Sequence, residues 1–140
     1  MLQILNVDEN TYKDAYNFLA SVPSINDVDD SILRNGAIVV DDDRVIGSIA
    51  FEIYDDKGLI RYFVFKKSLP NSILIELLSK LEDNARALNL KGLVCVADNI
   101  QIEELFKSLS FSIIDSKIFI NEEMIENTSF KSSSFLEKSI

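Results

Sequence analysis

The sequence predicts an α/β domain in which a central mixed, mostly antiparallel sheet carries helices on both faces. Three observations predict it. Residues 37–65 form a strand-rich block punctuated by two turn sequences, Asp41-Asp42-Asp43 and Asp55-Asp56-Lys57-Gly58. A long amphipathic helix pattern follows at residues 72–88. That helix separates two almost wholly apolar runs, Leu59–Phe65 and Leu93–Ala97, which read as strands buried on both sides. A strand-helix-strand crossover of this kind is parallel and right-handed.

The elements follow in order. Leu2–Asn6 is a short strand. Asp8 suits the cap of a helix from Glu9 to about Ala20, with Tyr12, Ala15, Tyr16 and Leu19 on one face. Pro23 and the polar stretch 26–30 interrupt it, and a short helix over Val28–Arg34 stops at Asn35-Gly36. Ala37–Val40 and Arg44–Tyr54 are strands, with Val45, Gly47, Ile49, Phe51 and Ile53 sharing a face of the second. Ser68-Leu69-Pro70-Asn71 ends the third strand. The helix after it buries Leu74, Leu77, Leu78, Leu81, Ala85 and Leu88, and Asn89 suits the left-handed residue that closes it. Beyond Ala97, a helix over Ile100–Ser108 is capped by Asp98 or Asn99 and buries Ile102, Leu105, Phe106 and Leu109. Phe111–Ile114 and Lys117–Asn121 form a last hairpin. The order is β-α-α-β-β-β-α-β-α-β-β. One domain is expected over residues 1–121, followed by a serine-rich tail, 122–140, in which Ser134-Phe135-Leu136-Glu137 reads as the capping-box start of a short helix.

Composition narrows the chemistry. With 140 residues, 47% hydrophobic and 26% charged, the chain has the make-up of one globular domain. A formal charge of −9 disfavours nucleic acid and anionic membrane as partners, and is compatible with an amine or a basic protein. There is no histidine, which excludes Ser-His-Asp and Cys-His catalysis and most zinc sites; no metal is expected. The start of the chain lacks a basic region, so a signal peptide is not expected. The single cysteine, Cys95, lies in an apolar run and suits a reducing, cytoplasmic setting. Strand edges at the C-terminal hairpin make a homodimer an expectation.

The element order, the segment Asn84-Ala85-Arg86-Ala87-Leu88-Asn89 and the segment Asn99 to Phe111 resemble the GCN5-related N-acetyltransferase (GNAT) superfamily. In the last segment the family pattern N-x-x-A-x-x-L-Y-x-x-x-G-F is matched in spacing. The resemblance covers about residues 2–121. It implies that the fourth and fifth strands splay apart at a bulge and that acetyl-CoA lies in the gap. Its pantetheine would pair with the backbone of Phe63, Val64 and Phe65 and lie near Asn99. Its pyrophosphate would sit on N–H groups at the start of the long helix.

The phosphate-binding motif of that family, R/Q-x-x-G-x-G/A, falls on Leu69-Pro70-Asn71-Ser72-Ile73-Leu74. Leu69 replaces the Arg or Gln. Pro70, Ser72 and Leu74 stand at the small positions, and only Ser72 keeps a usable hydroxyl and N–H. Two readings of this stretch stand side by side: Leu74 obstructs the phosphate cradle, or Leu69, Ile73 and Leu74 are core at a helix start. The position of the family's tyrosine acid is Phe106, which has no proton to give. Glu52 and Asp98 are the candidate general bases. Tyr54, Arg61 and Tyr62 are candidates for lining the groove. The expected function is an N-acetyltransferase-like protein with weak or absent acetyl-CoA binding, its cleft an apolar pocket lined by Phe65, Leu69, Leu74 and Phe106. The alternative is a functional acyl-CoA-dependent N-acyltransferase acting on a cationic amine or a protein amine.

Overall fold

The computed structural model describes residues 1–23, 25, 27–97, 100–114 and 134–140. It contains β1 (Leu2–Asn6), α1 (Tyr12–Ala20), α2 (Asp30–Leu33), β2 (Ala37–Asp41), β3 (Arg44–Tyr54), β4 (Lys57–Phe65), α3 (Asn71–Ala87), β5 (Gly92–Ala97), α4 (Ile100–Ser108), β6 (Ser112–Ile114) and β7 (Ser134–Ser139). The seven strands form one sheet in the order β1-β2-β3-β4-β5-β7-β6. All neighbours are antiparallel except β4 and β5.

Helices cover both faces, as the apolar periodicities require. On one face Leu74, Leu77, Leu78, Leu81 and Ala85 of α3 and Phe106 of α4 pack with Val39, Ile49, Phe51 and Leu93. On the other, Ala15 and Leu19 of α1 and Leu33 of α2 pack with Ile38 and Val40. Local chemistry sets the boundaries. Asp8 heads the turn before α1, its Oδ1 accepting from the N–H groups of Asn10 and Thr11, so the helix begins at Tyr12 rather than Glu9. Asp29 caps α2 by accepting from Ser31 N–H. The β2–β3 turn carries Asp42 and Asp43 at φ 47° and 69°, the left-handed pair that a tight hairpin demands.

Several expectations are corrected. The β3–β4 turn is Asp55-Asp56 alone; Lys57 and Gly58 are already in β4. Gly58 is needed for packing, since a Cβ there would meet Leu93 at 3.0 Å and the Phe51 ring at 3.1 Å. Val45 lies on the α1/α2 face, opposite Ile49 and Phe51, because the β2–β3 register slips by one residue between Gly47 and Val45. Leu88 is 47% exposed, because α3 ends there and Asn89 turns the chain at φ 61°.

The largest correction is at the C-terminus. Ser134–Ser139, expected to start a helix, is strand β7, which pairs with β5 along six residues and with β6 on its other edge. Phe135 and Leu136 are 2% and 0% exposed. Lys57–Glu137 and Glu82–Lys138 ion pairs, each 2.5 Å, tie the strand to β4 and α3. A slot between two strands supplied hydrogen-bond partners and apolar cover that outweigh a weak local helix signal. The expected strand Lys117–Asn121 lies outside the described residues; the partner that β6 does have is β7.

Candidate functional site

The sheet splits at its centre. β4 and β5 pair at Lys57–Gly92, Gly58–Leu93 and Leu59–Val94 only, although β4 continues to Phe65 and β5 to Ala97. Beyond Leu59 and Val94 the halves β1-β2-β3-β4 and β5-β7-β6 diverge, leaving Arg61 to Phe65 half-buried rather than covered on both sides. Next to this fork β4 carries a bulge. Ser48 opposes Val64 while Ala50 opposes Arg61, so two residues of β4, Tyr62 and Phe63, face the single Ile49. Tyr62 sits at φ 56°, uncommon for a bulky side chain. Its carbonyl accepts from the hydroxyl of the buried Ser48 at 2.7 Å, which holds the bulge in place.

A polar group gathers on the α1/α2 side of the fork. The Tyr54 hydroxyl donates to Glu52 Oε1 at 2.6 Å, and Arg61 Nη1 donates to Glu52 Oε2 at 2.9 Å. Partial burial, then the hydrogen bond and charge of Glu52, push the Tyr54 phenol up to about 12, so it stays a donor at neutral pH. Arg61 also lies 5.6 Å from the Tyr62 ring centroid. The Tyr62 hydroxyl accepts from Asp29 N–H at 2.8 Å, which fixes the start of α2 against the bulge. Two hydrogen bonds from Ser31 hold the Asp29 carboxyl below the usual carboxylate range, with a smaller contribution from the Arg61 charge.

No family model matches the chain, and no curated protein sequence matches it. Solved structures do. The chain aligns over 99% of its length with N-acetylglutamate synthase from Neisseria gonorrhoeae, complexed with coenzyme A and N-acetyl-glutamate, at 14% identity and a TM-score of 0.75. It spans 35% of that protein. Rv2747 from Mycobacterium tuberculosis, solved with CoA, aligns over 99% of both chains at 14% identity and a TM-score of 0.73. A GNAT-family acetyltransferase from Staphylococcus aureus Mu50 does so at 13% identity and a TM-score of 0.68.

The chain has the GNAT fold. Within it, the expected cofactor turn is well defined. Leu69 N–H donates to Lys66 O, closing a turn, and Pro70 follows as N-cap of α3 with ψ 152°. Pro70 O accepts from Ile73 and Leu74 N–H. Asn71 and Ser72 open the helix on its exposed side, where first-turn N–H groups lack intrahelical acceptors. Leu74 is 3% exposed and Leu69 7%, both in the α3-side core, with Ile73 packed at its edge. Leu69, Ile73 and Leu74 thus pack as core at a helix start. The apolar pocket expected from Leu69, Leu74 and Phe106 is corrected on the same ground: these side chains are the core itself, and only Phe65 remains half-buried.

Sequence reasoning passed over Lys66 and Lys67. Both are exposed in the segment that leads into α3, and Lys66 lines a shallow pocket with Asp41, Asp42 and Arg44. The signal is a pair of lysines shortly before the motif position, where the family pattern places a single Arg or Gln. Ser48 was also missed, and the bulge that the resemblance implies is given its position at Tyr62 and Phe63 only by the structure, since a register slip leaves no mark on composition. The Phe63 and Phe65 rings meet at a tilt, 4.9 Å apart, on the α3/α4 side, and Val64 turns to the α1/α2 face. Phe106 is 2% exposed and meets Phe63 and Phe111 edge-on at 5.4 and 5.0 Å. Of the two candidate bases, Glu52 stands beside the fork; Asp98, like Asn99, lies outside the described residues.

Proposed function

We propose that this chain is a GNAT-superfamily acyl-CoA-dependent N-acyltransferase. The observation that carries the reading is the fork itself: paired strands that part after Leu59 and Val94, beside a bulge at Tyr62 and Phe63. The residues present fit a CoA thioester. Among the described residues the β4 backbone beyond the bulge has no strand partner on its β5 side, an edge that suits a pantetheine. Asn71 and Ser72 at the α3 N-terminus, with Lys66 and Lys67 before them, suit a pyrophosphate. Pro70 removes one N–H from this cradle. The synthase and Rv2747 were solved with coenzyme A, which supports the same use of the fold here.

In this reading Glu52 takes a proton from the acceptor ammonium. The amine nitrogen then attacks the thioester carbonyl carbon, the N–C bond forms and the C–S bond breaks. The second nitrogen proton and the departing thiolate are settled through solvent, because Phe106 cannot act as the acid. Positioning in the fork supplies much of the rate. A reducing cytoplasm suits the buried Cys95 thiol.

Isothermal calorimetry with acetyl-CoA tests the reading. A dissociation constant in the micromolar range supports it; no heat at millimolar ligand would overturn it. Phe106 favours a second reading, a non-catalytic module that binds acyl-CoA without transfer. Thiol-reagent detection of CoA release in the presence of amines separates the two.

A further inference from the structure

Arg61 occupies a decisive place. It is the last β4 residue before the bulge, two positions beyond the final pairing with β5. Its side chain projects to the α1/α2 side, where it meets Glu52 and the Tyr62 ring, while Phe63 and Phe65 pack toward α3 and α4. The fork therefore has two chemically distinct mouths. The α3 side presents lysines and a helix N-terminus. The α1/α2 side presents a fixed carboxylate and a fixed guanidinium, 2.9 Å apart.

Both groups are oriented and both are reachable. Tyr54 holds one oxygen of Glu52 and Arg61 the other. Arg61 spends Nη1 on that contact, yet a guanidinium carries five N–H donors in a planar fork matched to carboxylates. The side chains are 36% and 26% exposed. The β3–β4 ladder already joins these strands without the ion pair.

We propose that the acceptor is an amine carrying its own carboxylate beside the reacting nitrogen, that is, an α-amino acid rather than a simple cationic amine. Glu52 receives the ammonium pole and its proton; Arg61 receives the carboxylate pole. A diamine or polyamine would bring a second positive charge toward Arg61 and offer its guanidinium no carboxylate. A zwitterion presents opposite charges at the spacing the pair presents in reverse. Arg61 is thus a specificity residue. This inference rests on the acyltransferase reading and narrows its substrate class.

The test measures CoA release from acetyl-CoA by the full chain with matched pairs: L-glutamate against 4-aminobutyrate, and L-lysine against cadaverine. In each pair the second compound lacks the α-carboxylate. The expected result is kcat/KM higher for the amino acid by roughly tenfold or more, the worth of one charge-assisted contact. In Arg61→Gln that ratio falls to near unity through KM for the amino acid, and Arg61→Lys restores part of it. Calorimetry with acetyl-CoA on the same variants checks that the fork is intact. Equal rates within each pair for the wild-type chain, or an unchanged ratio in Arg61→Gln, overturn the amino-acid assignment and leave the transferase standing. Absence of acetyl-CoA binding by the wild-type chain overturns both.

Discussion

Leu74 shares its core with Val39, Leu77 and Phe106, so cutting back its side chain leaves a void rather than a wider cofactor cradle. Leu74→Ala is expected to cost about 2–5 kcal/mol in a urea melt and to leave acetyl-CoA affinity no better; a gain in affinity would show that the side chain faces the fork after all. Cys95 gives a second prediction at this scale. Burial pushes its thiol up to about 12. A thiol-specific reagent at neutral pH should leave the folded chain untouched and label it only on unfolding. Labelling of the native state at the rate of a free thiol would contradict the 2% exposure. Residues such as these were half legible. Their apolar character is plain in the sequence, but which way a side chain points at a helix start is decided by the turn before it.

The Lys66–Leu69 turn and the first turn of α3 act as one element. Reversing both charges, Lys66→Glu with Lys67→Glu, is expected to weaken acetyl-CoA binding by roughly tenfold or more at low ionic strength. The gap to wild type should narrow at about 1 M salt, where screening reaches ~3 Å. A charge-independent effect, or none, would mean that the phosphates lie elsewhere. Strand β7 gives the other prediction for an element. Phe135 and Leu136 are almost fully buried, and each contributes about 1.5–3 kcal/mol by removal from water. A chain ending at residue 133 should lose its cooperative thermal transition in circular dichroism. Most elements were readable because periodicity reports one face at a time. β7 was not, because a six-residue segment beginning with serines has its conformation chosen by the strands it joins.

Across the molecule, Cys95 and Tyr54 both have folded-state pKa values raised above their ordinary values of 9.0 and 10.0, each to about 12. A raised pKa means that the folded state holds the proton more tightly. The associated stability is complete below about pH 9, and it is lost as pH rises from there through about 12. Denaturant midpoints should therefore fall across that window, and the fall should shrink in Cys95→Ala with Tyr54→Phe. The sequence by itself determined the order of strands and helices from β1 to β6, the two-sided cover of the sheet and the crossover that makes β4 and β5 parallel. These follow from apolar spacing and turn chemistry, which are local. Only the tertiary structure decided where those strands part, which residues the bulge at Tyr62 re-aims, that Glu52 and Arg61 meet, and that the last strand slots between β5 and β6. Each of these depends on register between segments far apart in the chain, and a slip of one residue exchanges the two faces of a strand without changing its composition.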